Sequence, residues 1–518
     1  MKIHCKYILI ALLLVVPFAS CKKDLLDRQP TSQLSTTVLW KQPSDADLIL
    51  AGCYSTLLAN TSGFGVDQFL PYAWDSYSDD IFDTNGFAGQ TALNNGINAT
   101  TSRFVNDTYI NAYKAIAYIN YFLANVDKVL TGDQLKQYKG EAYFLRGFYY
   151  FLLAQTYGNV IITTNDYIGS GDYTEPKEKS PRSEVMKQVD SDFDLAIAGL
   201  PDVAYGSGRA VKGTAQGYKV RSLLFQKKYR EAAALASAII ASNKFSLNQD
   251  YSANFYKPGQ NSSPEIMFSV KFGQPNVSHP GPASLTSQLL TNRNFQATQD
   301  LINEYEMANG RFVNEAGSGY DPAKPAENRD PRLRRTFFFA GDTKAQGWPF
   351  TGSKSVAKPG DDFWIVGYYL IKKWVDPSLI DPTFPVRDET DIVLLRFADV
   401  RLMYAEAQNE AVGPDATVYQ QVNEVRARVS MPPLPAGLSQ AQMRDRIRHE
   451  RRVELAVEGL RYFDLRRWGI AIQKLNGFVQ NPVFPNVKTK YEEKYDFWPI
   501  PQTEIDRNAT VLTQNPGY

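Results

Sequence analysis

The residues with the most evident chemical capacity are carboxylates. Glu450, Glu454 and Glu458 recur at i, i+4 spacing, so a helix would carry all three on one face. A glycosidase needs two carboxyls facing each other about 5–10 Å apart across a sugar. Here the same stretch also holds Arg451, Arg452, Arg461, Asp464, Arg466 and Arg467. Such density reads as a structural ion-pair network, for which bidentate Arg–carboxylate geometry is suited. Arg396, Asp399, Glu406 and Glu410 read likewise, as locks on a helix expected over 391–411.

Other catalytic chemistry is poorly supplied. The only histidines are His4, His279 and His449, and the only cysteines are Cys5, Cys21 and Cys53. That is too few for a zinc site or a Cys–His nucleophile pair. His279 and His449 read as hydrogen-bonded or surface residues, and Cys53 as a small apolar one. No Gly-rich phosphate loop precedes a helix, and no Gly-x-Ser-x-Gly elbow occurs. No metal and no cofactor is implied. Aromatic residues are the opposite case: 7 Trp, 30 Tyr and 29 Phe make up 13% of 518 residues. The formal charge of +1 gives no basic excess, which argues against a nucleic-acid partner.

The N-terminus sets the class. Lys2 and Lys6 precede an apolar run from Tyr7 to Phe18, then Ala19, Ser20 and Cys21. The run is too short to span a bilayer and reads as a secretory signal peptide over residues 1–20. Cys21 after the small pair is similar to a bacterial lipoprotein cleavage site and would carry the lipid. Residues 21–38 then form a polar tether. With Cys5 removed, Cys53 has no partner for an intramolecular disulfide.

The elements that must position these groups are mostly helical. Ile116, Ile119, Leu123 and Val126 share one face of a helix over 104–128. Helices follow over 133–157, 182–199, 211–228 and 231–242, and again over 391–411, 417–430 and 438–467. The pair at 211–242, with Tyr218 and Tyr229-Arg230-Glu231-Ala232, resembles a tetratricopeptide repeat, whose small residues let two helices approach closely. Residues 243–390 are richer in Gly, Pro, Asn and Ser and read as long loops with short strands, such as Ile266 to Phe272. Residues 60–103 share that character. Long loops on a rigid scaffold commonly carry binding function.

Four motifs close the chain: LLRFADVRLMYAEAQNEA (394–411), VNEVRARVSMPPLP (422–435), HERRVELAVEGLRYFDLRRWG (449–469) and FWPIPQTEIDRNATVLTQNPGY (497–518). With GEAYFLRGFYYFLLAQTYGNV (140–160) and DPRL (330–333), they resemble the SusD/RagB family of outer-membrane nutrient-binding lipoproteins of Bacteroidota. The resemblance implies an all-α fold: a tetratricopeptide-like helix-pair framework with a loop-rich irregular subdomain packed on it. It implies one domain over 39–518, with framework at about 39–242 and 391–518 and the subdomain at about 243–390. It also implies a binding protein rather than an enzyme, lipid-anchored in the cell outer membrane and facing the exterior. Its ligand would be an oligosaccharide, or a peptide in a RagB-like member. Its partner would be a SusC-like TonB-dependent transporter. A glycoside hydrolase is the less favoured alternative.

Sugar binding requires aromatic faces and a few placed polar groups. Two segments offer that mix. Residues 72–80 hold Tyr72, Trp74, Tyr77, Asp79 and Asp80, the two aspartates being able to contribute to a loop-bracing cation site. Residues 342–374 hold Trp348, between Gly347 and Pro349, with Trp364 and Trp374. The Trp-bearing contact segment of starch-binding members has no counterpart in residues 94–105. Trp468 and Trp498 stand in framework motifs and are expected in the core. Cys21→Ser is expected to abolish palmitate labelling and move the chain out of the membrane fraction. Retained labelling would contradict lipidation at Cys21.

Overall fold

Apolar spacing sets the helices, and Arg–carboxylate pairs join them. The computed structural model describes residues 39–58, 69, 71–83, 97, 103–163, 177–206, 208–273, 279, 285, 289, 295–339, 369–376, 388–480, 486 and 488–518. The main helices are α1 (Pro43–Ser55), α2 (Pro71–Asp75), α3 (Arg103–Asn125), α4 (Gly132–Thr156), α5 (Arg182–Gly199), α6 (Lys212–Phe225) and α7 (Tyr229–Ala241). After the loop-rich region come α8 (Phe397–Ala411), α9 (Ala416–Arg428), α10 (Gln440–Glu454) and α11 (Arg461–Arg467). Consecutive helices pack from α3 to α7, α7 packs on α8, and α8 on α9 and α10. This is the expected all-α framework of helix pairs. No helix among the described residues is long and apolar enough to cross a membrane.

Small residues permit the close approaches. A Cβ on Gly199 would stand 2.5 Å from the Lys136 carbonyl oxygen, and one on Gly140 would stand 3.0 Å from the Gly199 carbonyl carbon. Substitution at either would push α4 and α5 apart. Helix ends are specified locally as well. Asp415 caps α9 by accepting from the Thr417 and Val418 amides, and Ser439 with Gln442 forms a capping box on α10.

Four short strands tie the loop-rich region to this frame. β2 (Ile266–Val270) pairs antiparallel with β4 (Ile392–Arg396), and β1 (Ile81–Asp83) with β3 (Phe295–Ala297). Phe268 of β2 packs on Phe144 at 4.9 Å, and Phe148 packs on Tyr218 at 5.2 Å, so α4, α6 and β2 share one aromatic core. The strand expected at 266–272 is present. Two expected helices are corrected. Residues 392–396 form a strand, because their apolar run completes the backbone hydrogen bonding of β2; the helix begins at Phe397. The helix expected over 438–467 ends at Glu454 and resumes at Arg461.

That interruption has a physical cause. The freed carbonyls of its last turn and the following residues are taken by buried donors. The Glu454 carbonyl accepts from Arg396 Nη2 at 2.7 Å, Ala456 from Lys373 Nζ at 2.8 Å, and Val457 from Trp374 Nε1 at 2.7 Å. Gly459, at φ +76, turns the chain where a Cβ would meet the Pro71 backbone at 3.2 Å. The carboxylates of the same stretch are equally engaged. Glu454 binds Arg332 at 2.8 Å, Arg396 at 2.6 Å, and also Arg428. Glu450 binds Arg332 and Arg426, Glu458 binds Arg396 and Lys373, and Glu265 binds Arg396 and Arg428. The DPRL motif feeds this network: Asp330 caps the short helix Pro331–Thr336 and holds Arg332 at 2.6 Å.

Burial alone would push the Glu454 carboxyl up. The guanidiniums of Arg428, Arg396 and Arg332 outweigh it and hold the group well below the usual carboxylate range. The ion-pair reading of this stretch holds: Arg451 and Arg467 bind Asp464 within it, while Glu450, Glu454 and Glu458 take their partners from other elements. Asp399 pairs with Arg221 of α6 and Arg451 of α10, Glu406 with Arg467 of α11, and Glu410 with Arg444 of α10. Glu454→Gln is expected to cost about 3–5 kcal/mol of unfolding free energy, because it strands buried guanidinium charge. Urea unfolding checks this, and a cost below about 1 kcal/mol, the scale of a surface pair, would contradict it.

Candidate functional site

Residues 72–80, the first ligand platform expected from sequence, lie within the described segment 71–83. Pro71 starts α2, and β1 follows after a turn. Tyr72, Trp74, Tyr77, Asp79 and Asp80 are all buried. This corrects the expectation that they lie open to a ligand. Trp74 stacks on Trp498 at 5.2 Å and 11°, and meets Phe104 and Phe463 at 5.0 Å each. Tyr77 lies 5.1 Å from Trp498, and Tyr72 lies 4.5 Å from Phe295. The aromatic excess of this stretch is therefore core.

The aspartates are equally occupied. Asp79 binds Arg461 at 2.8 Å, Asp80 binds Arg452 at 2.7 Å, and Asp75 accepts from the Gly459 amide at 2.9 Å. For Asp79 the cost of burial is outweighed by Arg452 and Arg461, which hold the carboxyl down. Asp80 is pushed up by burial and by the charge of Asp79. Asp75 is pushed well above the usual range by burial and by Asp80. Their pairing to arginine also answers the expectation of a loop-bracing cation. Among the described residues no group of three or more His, Cys, Asp or Glu could hold a metal ion. Glu450, Glu454 and Glu458 face guanidinium or ammonium groups, so no pair of them stands across an open cleft.

Trp348 and Trp364 lie outside the described residues. The ends that lead into their segment do not. Asp83, at the end of β1, pairs with Phe295, and Gln296 bridges Leu370. Phe337 bridges Ile371, the Ala297 amide donates to the Tyr369 carbonyl at 3.0 Å, and Phe339 packs on Tyr369 at 5.2 Å. Thus the described ends of two stretches, after Asp83 and between Phe339 and Tyr369, meet on one small sheet, and the second stretch is the one that holds Trp348 and Trp364. Trp374 is fully buried and belongs to the core. Trp498 is in the core as expected, whereas Trp468 is half-buried and donates to Glu406 at 2.9 Å. His449 bonds the Glu304 carbonyl and His279 the Thr390 carbonyl, each at 2.7 Å. Burial pushes the Cys53 thiol up to about 12.

Sequence reasoning missed one cavity. It measures about 510 Å³ and is walled by Leu57, Leu58 and Val270 beside Tyr54, Arg209 and Lys271. Its two cations already bind Glu141 at 2.7 Å and Asp391 at 2.8 Å. Its parts come from α1, the 208–209 turn and the end of β2, three segments whose juxtaposition no local spacing reveals. A smaller cavity of about 110 Å³ lies beside Trp74, Phe148, Phe225 and Phe463.

Comparison with known proteins places this geometry. The SusD family model matches residues 244–518, and a model described as starch-binding associating with outer membrane matches residues 24–221. SusD-like protein P38 of Formosa agariphila is 26% identical over 502 residues, covering 90% of this chain and 92% of that relative. The crystal structure of a SusD-like carbohydrate binding protein from Bacteroides fragilis is 25% identical with a TM-score of 0.78, covering 91% of this chain and 99% of the other. A laminarin binding SusD-like protein shares the fold at a TM-score of 0.68 and 22% identity, covering 92% of this chain and 100% of the other. A family match over the C-terminal half and more, on the same helical frame, makes this chain a member of the SusD family.

Proposed function

We propose that this protein is a surface-exposed lipoprotein that binds oligosaccharides and delivers them to a SusC-like TonB-dependent outer-membrane transporter. The observation that carries the binding part is that both described ends of the stretch holding Trp348 and Trp364 are fixed side by side at the β1–β3 sheet. A single stretch, anchored at both ends to one rigid patch, carries both Trp348 and Trp364, and flat rings of this kind cover the apolar faces of a sugar. The names of SusD relatives that bind carbohydrate and laminarin support a glycan as the ligand class. The signal-like N-terminus ending at Cys21 supports the anchor.

The framework's part is to hold that patch still. Arg452 and Arg461 fix Asp79 and Asp80 at one end of β1, and the Thr298 amide donates to the Asp80 carbonyl at 2.8 Å. Calorimetric titration of the mature protein with plant, host and microbial oligosaccharides tests the reading. A saturable glycan response is expected; binding of peptides alone would overturn it. Trp348→Ala and Trp364→Ala are each expected to weaken glycan binding about tenfold, the scale of losing an aromatic anchor, without lowering Tm. Trp74→Ala is expected instead to cost about 3–5 kcal/mol of stability, as for a buried aromatic truncated in a core. Unchanged affinity in both loop variants would remove those residues from the site.

A further inference from the structure

Most arginines of α10 and α11 bind carboxylates, Arg451, Arg452, Arg461 and Arg467 among them. Among the described residues Arg448, which packs on Trp468 at 4.7 Å, and Arg466 do not. The Arg466 Nε and Nη1 are buried without an acceptor, and its guanidinium instead packs on Tyr462 at 4.9 Å and Phe497 at 5.7 Å. Phe497 also receives a second cation. Arg182 packs on it at 5.4 Å and on Phe225 at 4.3 Å, and its Nε is likewise buried without an acceptor. Among the described residues neither guanidinium has a carboxylate partner.

Two cations on one ring, with no carboxylate bound to either, is a costly arrangement. Buried donors left unmade cost about 1–3 kcal/mol each, and more when charged. Like charge adds to this. Burial and the neighbouring Arg466 together push the Arg182 guanidinium down to about 10. Lys179 adds positive character nearby, and Asp496, beside Phe497 in sequence, is engaged by the Tyr491 hydroxyl at 2.9 Å. Lys179 Nζ reaches the Gln514 carbonyl at 3.4 Å and Asn515 Oδ1 at 3.1 Å. Arg182 opens the 18-residue α5, whose N-terminus carries the positive end of the helix dipole. Asn515 in turn ties this corner together, donating to the Tyr157 and Trp498 carbonyls.

We propose that Arg182 and Arg466, packed on Phe497, form a binding site for a phosphate-class oxyanion. Planar guanidiniums recognise such groups through paired N–H donors, and a tetrahedral anion offers acceptor oxygens to both at once. The site takes either the free ion or a phosphate monoester; the two share the recognised group. It is separate from the aromatic loops assigned to glycan, and it stands or falls independently of that reading.

The full mature chain serves for the test, at fixed ionic strength balanced with chloride. Inorganic phosphate is expected to bind saturably at one ion per chain by calorimetry and to raise Tm. Arg182→Gln and Arg466→Gln are each expected to weaken that binding about tenfold or more, the loss of a charge-assisted hydrogen bond, while Arg230→Gln on the exposed face of α7 leaves it unchanged. Methyl phosphate binding as tightly as phosphate identifies an ester-borne ligand, and binding of phosphate alone identifies the free ion; both support the site. Should the variants fold poorly, peptide mass spectrometry of the unaltered chain decides. Phosphate is then expected to protect Arg182 and Arg466 from phenylglyoxal. A response no greater than chloride's, equal binding of acetate, or absence of protection would overturn the proposal.

Discussion

The structure depends on a buried ionic knot at the end of α10. Glu450, Glu454 and Glu458 draw in Arg332, Arg396, Arg426, Arg428 and Lys373, which come from the loop-rich region, β4 and α9. Charges withdrawn from water stay charged only if they are paired and hydrogen-bonded on all sides. That requirement makes the knot all-or-none. It fixes where α10 stops, because the exposed carbonyls of residues 454–457 are needed as acceptors. It also fixes the register of β4, because Arg396 must reach Glu265, Glu454 and Glu458 together.

A second set of pairs extends the knot toward the candidate binding face. Arg452, one turn from the knot, binds Asp79, Asp80, Asp300 and Glu304. Asp79 and Asp80 lead into β1, and Asp300 and Glu304 follow β3, so these pairs brace the β1–β3 sheet from both strands. Rigid support for that face is thus built from the same Arg–carboxylate chemistry that closes the core. The Trp74–Trp498 stack adds an apolar clamp to the same segment.

How far the sequence spoke for itself follows from which forces are local. Helices such as α3 and α5 were readable because their buried residues repeat along one face. The charged motif at 449–469 was readable as structural because cations and carboxylates alternate within it. Residues 392–396 were misread because an apolar run fits a helix as well as a strand, and only the distant β2 decides between them. The 72–80 stretch misled for a related reason. Aromatics beside aspartates suit a sugar, but they equally suit a core clamp when Trp498 and Arg461, from the far end of the chain, pack against them. The Arg182–Arg466 juxtaposition is not local at all. It is seen only once Phe497 stands between the chain segments that carry them.

The direct measure of the ionic knot is unfolding free energy as a function of pH. Glu450, Glu454, Glu458, Glu406 and Asp399 are all held below the usual carboxylate range in the fold. Unfolded carboxyls titrate near about 4. The stabilisation from these groups is therefore complete above that value and is lost as pH falls through it toward the lower folded values. Asp75, Asp80, Asp107, Glu141 and Asp192 act in the opposite sense, their raised carboxyls favouring the fold at low pH, but they are outnumbered once Asp79, Glu304, Asp45 and Asp415 join the groups held down. Stability is expected to drop steeply below about pH 4.5, with a slope of more than one proton. A flat profile down to about pH 3 would mean that the knot does not hold the fold.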